Sequence, residues 1–426
     1  MSRLDVYLHG ERAGSLERLE QARLRFTYAE QWIEAKGARL SLSLPVRAGP
    51  FDHESSAPFF EGLLPEGDFL KATSRAFHVS ERNPFGLLSA IGGECAGAVS
   101  LGPAGGPAPG LESPPPRWLE SNELARLLRD LPQRPLLAVG GGDEEDGVRI
   151  SLAGAQDKLG VLFDGEEGRV GVTWGSPPST HIAKAPIPRL ADSIANEAFC
   201  MSLASASGLD VAEVQPRSAG DREYLLVRRY DRVETEDGLP HRLHQEDFCQ
   251  ALGFVPTQKY EAEGGPGVSN CADLLWASSA APVRDVPAFL DALLFSFLIG
   301  NHDAHSKNYS LLLDGLDSIR LAPLYDLIST SAYPGTARKL AMKHGGENRP
   351  RYLRRRHLER LAADLRVKPR LVLQRAAQMV ERVTESLDAA ADSLPPAFAG
   401  RPVIADVGAL VEERSERLVQ IGSEAR

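Results

Sequence analysis

Within GNHDAHSKNYSLLL, residues 300–313, Asp303 stands five positions before Asn308, directly behind the apolar run FLDALLFSFLI. A third oxygen donor, Asp326, follows the apolar stretch LAPLY. Transfer of a phosphoryl group from a nucleotide asks little covalent chemistry of a protein. It needs an acid to orient the acceptor hydroxyl and oxygen ligands to hold Mg2+ against the phosphates. Asp303 suits the first task, and Asn308 with Asp326 the second, because Mg2+ retains waters and needs only one or two protein oxygens. The competing reading is a polar helix-end turn in which Asp303 caps and Asn308 closes a turn hydrogen bond. Asp326, placed after its own apolar strand, moves the balance toward catalysis.

Upstream parts complete such a site. THIAKAP sets Lys184 on an expected strand, where its ammonium could neutralise nucleotide phosphates. NEAFCMSLA sets Glu197 on the following helix, able to pair with Lys184 and aim it. Each residue type is also common on any surface strand or helix, so their weight comes from their order with the downstream trio. SLAGAQDK, Ser151 to Lys158, sits where a phosphate-covering loop would sit between two strands. It carries one glycine and is neither GxGxxG nor a Walker A sequence. The small residues Ala153, Gly154 and Ala155 would still let backbone N–H groups approach phosphate oxygens. The preceding GGGDEEDG is acidic and reads as a solvated loop. His302 and His305 flank Asp303 without a third metal-ligating residue nearby, so they read as supporting groups rather than zinc ligands.

The elements that must position these groups can be read from periodicity. Residues 1–101 hold the alternating runs LDVYLHG, ARLRFTY and ARLSLSLP, expected as strands, and one helical piece, APFFEGLLPEGDFLKATSRAF. PAGGPAPGLESPPPR is too rich in proline and glycine to pack and marks a boundary. SNELARLLRDL reads as a helix opened by a capping serine, Ser121. VRISLAG and KLGVLFDG are expected to be two strands joined by a turn, THIAKAP a third strand and EYLLVRRYDR another. ADSIANEAFCMSLASASG reads as a helix closed by Gly208. Beyond HQEDFCQALG the pattern is mostly helical, with short strands near YSLLL and IRLAPL. The division that follows is 1–101, a linker and helix at 102–147, a strand-rich nucleotide lobe at 148–240, and a helical lobe at 241–426.

Composition narrows the class. A chain of 426 residues with 42% hydrophobic content should form two or three packed units. A formal net charge of -10 argues against a general nucleic-acid coat. Arg349–Arg370 is locally basic, with nine Lys/Arg against Glu359 and Asp364. It could contact phosphates or be a solvated helix face. Cys95, Cys200, Cys249 and Cys271 are scattered and read as reduced thiols. MSRLDVYLHGERAG lacks a secretory pattern, and the run Phe289–Ile299 is too short to cross a bilayer. The expectation is a cytoplasmic protein without a membrane partner.

ISLAGAQDK, THIAK, the NE of the next helix, RRYDR, HQEDFCQALG, GNHDAHSKN and LYDLIS occur in the order found in HipA-type serine/threonine kinases. The chain resembles that family, the toxin half of bacterial HipBA toxin–antitoxin modules, over nearly its whole length. The resemblance implies an α+β, kinase-like two-lobed fold with a strand-rich N-terminal subdomain and a mostly helical C-terminal lobe. It implies Asp303 as catalytic aspartate, Asn308 and Asp326 as Mg2+ ligands and Lys184 as the ATP-phosphate lysine. Ala153, Gly154, Ala155, Gln156, Asp157 and Lys158 would form the nucleotide loop. Arg228, Arg229 and Tyr230 would cradle adenine, and His305, Ser306, Lys307, Asn308 and Tyr325 would complete the ATP contacts. Ser151 falls where the family autophosphorylates. That event would place about -1.5 to -2 charges at the base of the loop and switch the kinase off. Where the family's adenine segment begins with an acid, this chain has Arg228, which backbone recognition of adenine would survive. The implied partners are a HipB-like helix-turn-helix antitoxin, operator DNA bound through that complex at the nucleoid, and a protein substrate. Aminoacyl-tRNA synthetases are among the family's acceptors, and their phosphorylation arrests growth or produces persistence. The alternatives are a small-molecule or lipid phosphotransferase, or a catalytically idle co-repressor.

Overall fold

In RLDVYL, Leu4, Val6 and Leu8 alternate with Asp5 and Tyr7, and the segment forms strand β1 (Arg3–Leu8). With β2 (Glu11–Arg18), β3 (Leu24–Tyr28) and β4 (Val99–Pro103) it builds an antiparallel sheet in the order β3-β2-β1-β4. A second sheet has the order β5-β7-β6-β8-β10-β9, from β5 (Arg117–Trp118), β6 (Lys158–Asp164), β7 (Arg169–Val172), β8 (His181–Lys184), β9 (Val214–Ala219) and β10 (Arg222–Arg228). The computed structural model describes residues 2–110, 114–132, 150–174, 176–234, 240–315 and 318–424. The acidic segment GGGDEEDG lies outside them.

The chain divides into two compact units, one of residues 1–185, 217–246 and 312–318, the other of 186–216, 247–311 and 319–426. In the first unit one hydrophobic cluster runs from Leu4 through Phe26, Phe59, Phe60 and Leu159 to Leu226. The N-terminal sheet and the second sheet therefore share a core. Phe26, Phe59 and Phe60 are fully buried, with ring centroids 5.2–5.4 Å apart for the pairs involving Phe60. Each such side chain contributes roughly 1.5–3 kcal/mol by leaving water.

Four sequence expectations need correction in this unit. ARLSLSLP is not a strand and shows only an isolated bridge between Ser41 and Leu44. Two of its three leucines, Leu40 and Leu44, plug the core around Tyr28, whose hydroxyl accepts from the Leu40 N–H at 2.8 Å and donates to the Leu44 carbonyl at 2.7 Å. Side chains thus satisfy backbone groups that a ladder would otherwise pair. VRISLAG also fails as a strand among its described residues. Ile150 makes one parallel bridge with Glu94, and the chain then runs irregularly to β6. The helix Ser121–Asp130 has Glu120, not Ser121, at its cap. The Glu123 carboxylate accepts from the Glu120 N–H at 3.0 Å, while Ser121 Oγ accepts from Gly220 N–H at 2.9 Å. The helical piece near residue 60 is two helices, His53–Gly62 and Gly67–Ala76, and Pro65 between them bridges Gly154.

The second unit is mostly helical. Its helices include Ser193–Ala206, Val268–Ser278, Pro282–Leu298, Arg355–Asp364, Pro369–Glu385 and Pro402–Ser423. Pro282–Leu298 is sheathed by its neighbours, and buried Asp291 on it accepts from Arg375 at 2.7 Å. In the basic stretch Arg355 turns inward to the Gly422 carbonyl and Arg366 pairs with Asp273, whereas Arg351, Arg356, Arg360, Lys368 and Arg370 are exposed. The four cysteines are buried and free. No helix among the described residues is long and apolar enough to cross a membrane.

Candidate active site

The helix Pro282–Leu298 delivers the chain through Gly300 into NHDAHSKN. Asn301 is buried and bridges two of the expected functional residues. Its Oδ1 accepts from the Asp303 N–H at 3.0 Å, and its Nδ2 donates to the Asp326 carbonyl at 3.4 Å. Asp303 itself is exposed. The Asn308 side-chain amide donates to the Asp303 carbonyl at 3.0 Å, which leaves Asn308 Oδ1 as its lone-pair donor. Asp326 has φ 54°, the left-handed region that non-glycine residues rarely occupy and that clusters at functional sites. Tyr325 fastens that turn to the loop. Its hydroxyl donates to the Lys307 carbonyl at 2.8 Å and shares a 2.7 Å bond with Ser310 Oγ. Asp303, Asn308 and Asp326 are thus tied together within one unit through Asn301 and Tyr325.

The other loop side chains point inward. Lys307 Nζ meets Asp247 Oδ2 at 2.7 Å, and both groups are buried. Ser306 Oγ lies 3.0 Å from Cys249 Sγ and donates to the Lys259 carbonyl at 3.1 Å. The buried His305 ring packs edge-on against Tyr260 at 5.0 Å. These three anchor the loop by their side chains. His302 is held through Nδ1 to the Ala337 carbonyl, with Nε2 facing Arg414 at 3.1 Å and Ser331 at 3.2 Å. Burial, with Arg414 beside it, moves its pKa below the usual histidine value. Among the described residues no group of three or more His, Cys, Asp or Glu could hold a metal. A Mg2+ bound by one amide oxygen and one carboxylate needs no such cluster.

In the first unit Lys158 and Lys184 are partners across the antiparallel β6–β8 pair, so their side chains share one face of the sheet. Both are buried. Lys158 Nζ reaches back to the Ala153 carbonyl and spans the loop. Gly154 is required by its φ of 109°, and it lets Lys158 Nζ lie close against the loop. The Gly154 carbonyl accepts from Glu66 N–H at 3.0 Å, Gln156 donates to the Ala185 carbonyl at 2.7 Å, and Ala155 is exposed. Burial, then nearby Asp68, raises the Asp157 pKa. Ser151 is fully buried. Its hydroxyl donates to the Leu63 carbonyl at 2.7 Å and its N–H to the Glu94 carbonyl at 2.7 Å. Glu197 lies buried on the helix Ser193–Ala206 of the second unit.

The RRYDR motif has a structural account. Arg229 bonds Glu94 at 3.0 Å and Asp231 at 2.8 Å, and Arg232 bonds Glu94 at 2.9 Å, all fully buried. Ser179 Oγ adds a 2.7 Å bond to Glu94, and Gly97 N–H one to Asp231. Burial alone would raise both acid pKa values, yet the guanidiniums hold Glu94 and Asp231 below the usual carboxylate range. The Arg229 N–H is also committed, to the Thr180 carbonyl at 3.0 Å. Arg228 is exposed beside Glu234, and Tyr230 bonds Gln245.

Sequence reasoning passed over Asn301, Tyr260, Asp247 and Glu94. Asn301 stands inside the motif itself, and Tyr260 sits in KYEAEGGPG, whose paired glycines signal a tight turn.

A family model described as the HipA-like C-terminal domain matches residues 150–390, and one for the HipA N-terminal domain matches residues 4–102. This chain belongs to the HipA family. It is 45% identical over 350 residues to Y4mE of Sinorhizobium fredii, covering 80% of each chain. It is 30% identical over 381 residues to the serine/threonine-protein kinase toxin HipA of Shewanella oneidensis, covering 87% of this chain and 84% of that one. The structure of Shewanella oneidensis MR-1 HipA, solved with HipB and operator DNA, matches with a TM-score of 0.84 and 26% identity over 99% of this chain and 100% of that one. The fold is accordingly the α+β, kinase-like fold of HipA. Asp303, Asn308, Asp326, Lys184 and the Ser151–Lys158 loop all fall within the matched C-terminal domain.

Proposed function

We propose that this HipA-family protein is an ATP-dependent protein serine/threonine kinase and the toxin of a toxin–antitoxin pair. The observation that carries the reading is the Asn308 amide bound to the Asp303 carbonyl, which fixes an acid and an oxygen ligand relative to each other. In the reaction, Asp303 accepts the proton of a serine hydroxyl as its oxygen bonds the γ-phosphorus. The bond to the β–γ bridging oxygen breaks, and ADP leaves with that electron pair. Asn308 Oδ1 and the Asp326 carboxylate are of the type that Mg2+ takes, and the ion when bound neutralises charge on the phosphates. The positive face made by Lys158 and Lys184 receives the phosphate chain, together with backbone N–H groups of Ala153–Lys158. Adenine falls to Arg228 and Tyr230, since Arg229 is committed to Glu94, Asp231 and the Thr180 carbonyl.

Autophosphorylation at Ser151 belongs to the same proposal. Its hydroxyl is buried against the Leu63 carbonyl, so a dianionic phosphate there would be both desolvated and opposed to an acceptor. The phosphorylated loop would have to leave Leu63 and Glu94, taking Ala153–Lys158 with it. A HipB-like antitoxin and operator DNA are the partners suggested by the solved HipA complex, with exposed Arg351, Arg356, Arg360, Lys368 and Arg370 suited to phosphate contacts. The proposed acceptor is a serine of a translation protein such as an aminoacyl-tRNA synthetase.

Incubating the purified protein with γ-labelled ATP and Mg2+ tests the reading. Label on Ser151, absent in Ser151→Ala and in Asp303→Asn, is expected, and Asp303→Asn should no longer arrest growth. Growth arrest equal to wild type by Asp303→Asn would overturn the kinase-toxin assignment.

A further inference from the structure

Tyr260 comes to Asp303 on a turn built to hold it there. Its hydroxyl donates to Asp303 Oδ1 at 2.7 Å. Its own carbonyl accepts from Glu263 N–H and from Gly265 N–H, each at 3.0 Å. Gly264 has φ 89°, and a Cβ on Gly265 would lie 1.8 Å from the Gln258 carbonyl oxygen, so the chain can fold back this tightly only with glycine at both places. The ring is braced edge-on by His305, two residues past Asp303. The neighbouring Glu261 accepts from the Lys343 N–H at 2.6 Å and pairs with Lys343 Nζ at 3.2 Å, pinning the turn from its other side.

We propose that Tyr260 is a positioning residue for Asp303: by holding Oδ1 it turns Oδ2 toward the acceptor hydroxyl. An exposed aspartate otherwise rotates about χ1 and χ2, and the reactive oxygen is lined up for only part of the time. The tyrosine keeps its proton throughout. The proton that moves goes from the acceptor hydroxyl to Asp303 Oδ2 as the new O–P bond forms. This inference rests on the phosphoryl-transfer reading of Asp303.

The test compares wild type, Tyr260→Phe and Gly265→Ala as full chains, measuring the rate of self-phosphorylation at saturating Mg2+-ATP and the ATP concentration at half-maximal rate. Tyr260→Phe keeps the ring and removes one hydrogen bond to a charged group. Its rate should fall about 10–100-fold, while half-saturation by ATP and the urea midpoint stay at wild-type values. Gly265→Ala keeps the hydroxyl but displaces the turn, and a folded Gly265→Ala should show the same selective loss of rate. A Tyr260→Phe rate equal to wild type overturns the inference and leaves the kinase reading standing. A matching rise in half-saturation also overturns it, since that marks a binding role. No phosphoryl transfer by wild type overturns both.

Discussion

The side-chain amide of Asn308 donates to the backbone carbonyl of Asp303 across 3.0 Å. An asparagine presents a donor and an acceptor on one planar group, so committing its nitrogen fixes which way its oxygen faces. Neither alanine nor aspartate can do this. Asn308→Asp retains a ligand oxygen for Mg2+ but loses the N–H, whereas Asn308→Ala loses both. Asn308→Asp should lower the phosphorylation rate roughly 100-fold with Mg2+-dependent ATP binding preserved, and Asn308→Ala should lose both. Parallel rate and calorimetric measurements on the two variants check this.

Lys307 supports the loop from beneath. Its ion pair with Asp247 is buried, and removing one member leaves an uncompensated charge. Lys307→Met should cost about 3–5 kcal/mol in urea unfolding, and adding Asp247→Leu should recover much of that loss. Equal destabilisation by the single and double variants would contradict the pairing.

Glu94 sits among Arg229, Arg232 and Ser179 in the first unit. Glu94→Gln removes the charge that two guanidiniums share, and a loss of about 3–5 kcal/mol is expected. The pKa values of Glu94 and Asp231 are depressed in the folded protein. Their contribution is therefore complete above the unfolded carboxylate values near about 4 and is lost as pH falls below them. Acid unfolding followed by circular dichroism should be displaced to higher pH in Glu94→Gln.

Two histidines act over a higher pH range. His244 in the first unit and His344 in the second are buried, and burial lowers the pKa of each to about 4. Between the unfolded value near about 6.5 and 4 the unfolded chain binds the proton and the native chain does not, so stability falls as pH falls. Each site accounts for on the order of 3 kcal/mol across that window. The urea midpoint should drop from pH 6.5 toward pH 4, and His344→Met should make the drop shallower.

Much of the fold, and the type and spacing of the candidate site residues, was legible in the sequence. β1, β3, β6, β8 and the helix Ser193–Ala206 follow from alternation or helical spacing, because each buries one face or one stripe. ARLSLSLP misled because three leucines alternating with serines mimic a strand even when a tyrosine hydroxyl, Tyr28, takes the backbone bonds. Asp303, Asn308 and Asp326 could be singled out by type and spacing. Of their fasteners, Asn301 reaches Asp303 within the motif, but its bond to Asp326 and those of Tyr260 and Tyr325 span 15 to 43 residues of chain, and no local pattern encodes those. RRYDR is the sharpest lesson. Arg229, read there for nucleotide contact, proves with Arg232 to be bonded to Glu94, more than a hundred positions upstream.

The central claim is that Asn308 and Asp326 hold Mg2+ against ATP beside Asp303. Calorimetric titration of the full chain with ATP, with and without Mg2+, tests it most directly when wild type is set against Asp326→Asn. The account predicts ATP uptake by wild type that requires Mg2+, and at least tenfold weaker Mg2+-dependent uptake by Asp326→Asn. Equal, Mg2+-independent binding by the two proteins, or no binding by wild type, would contradict it.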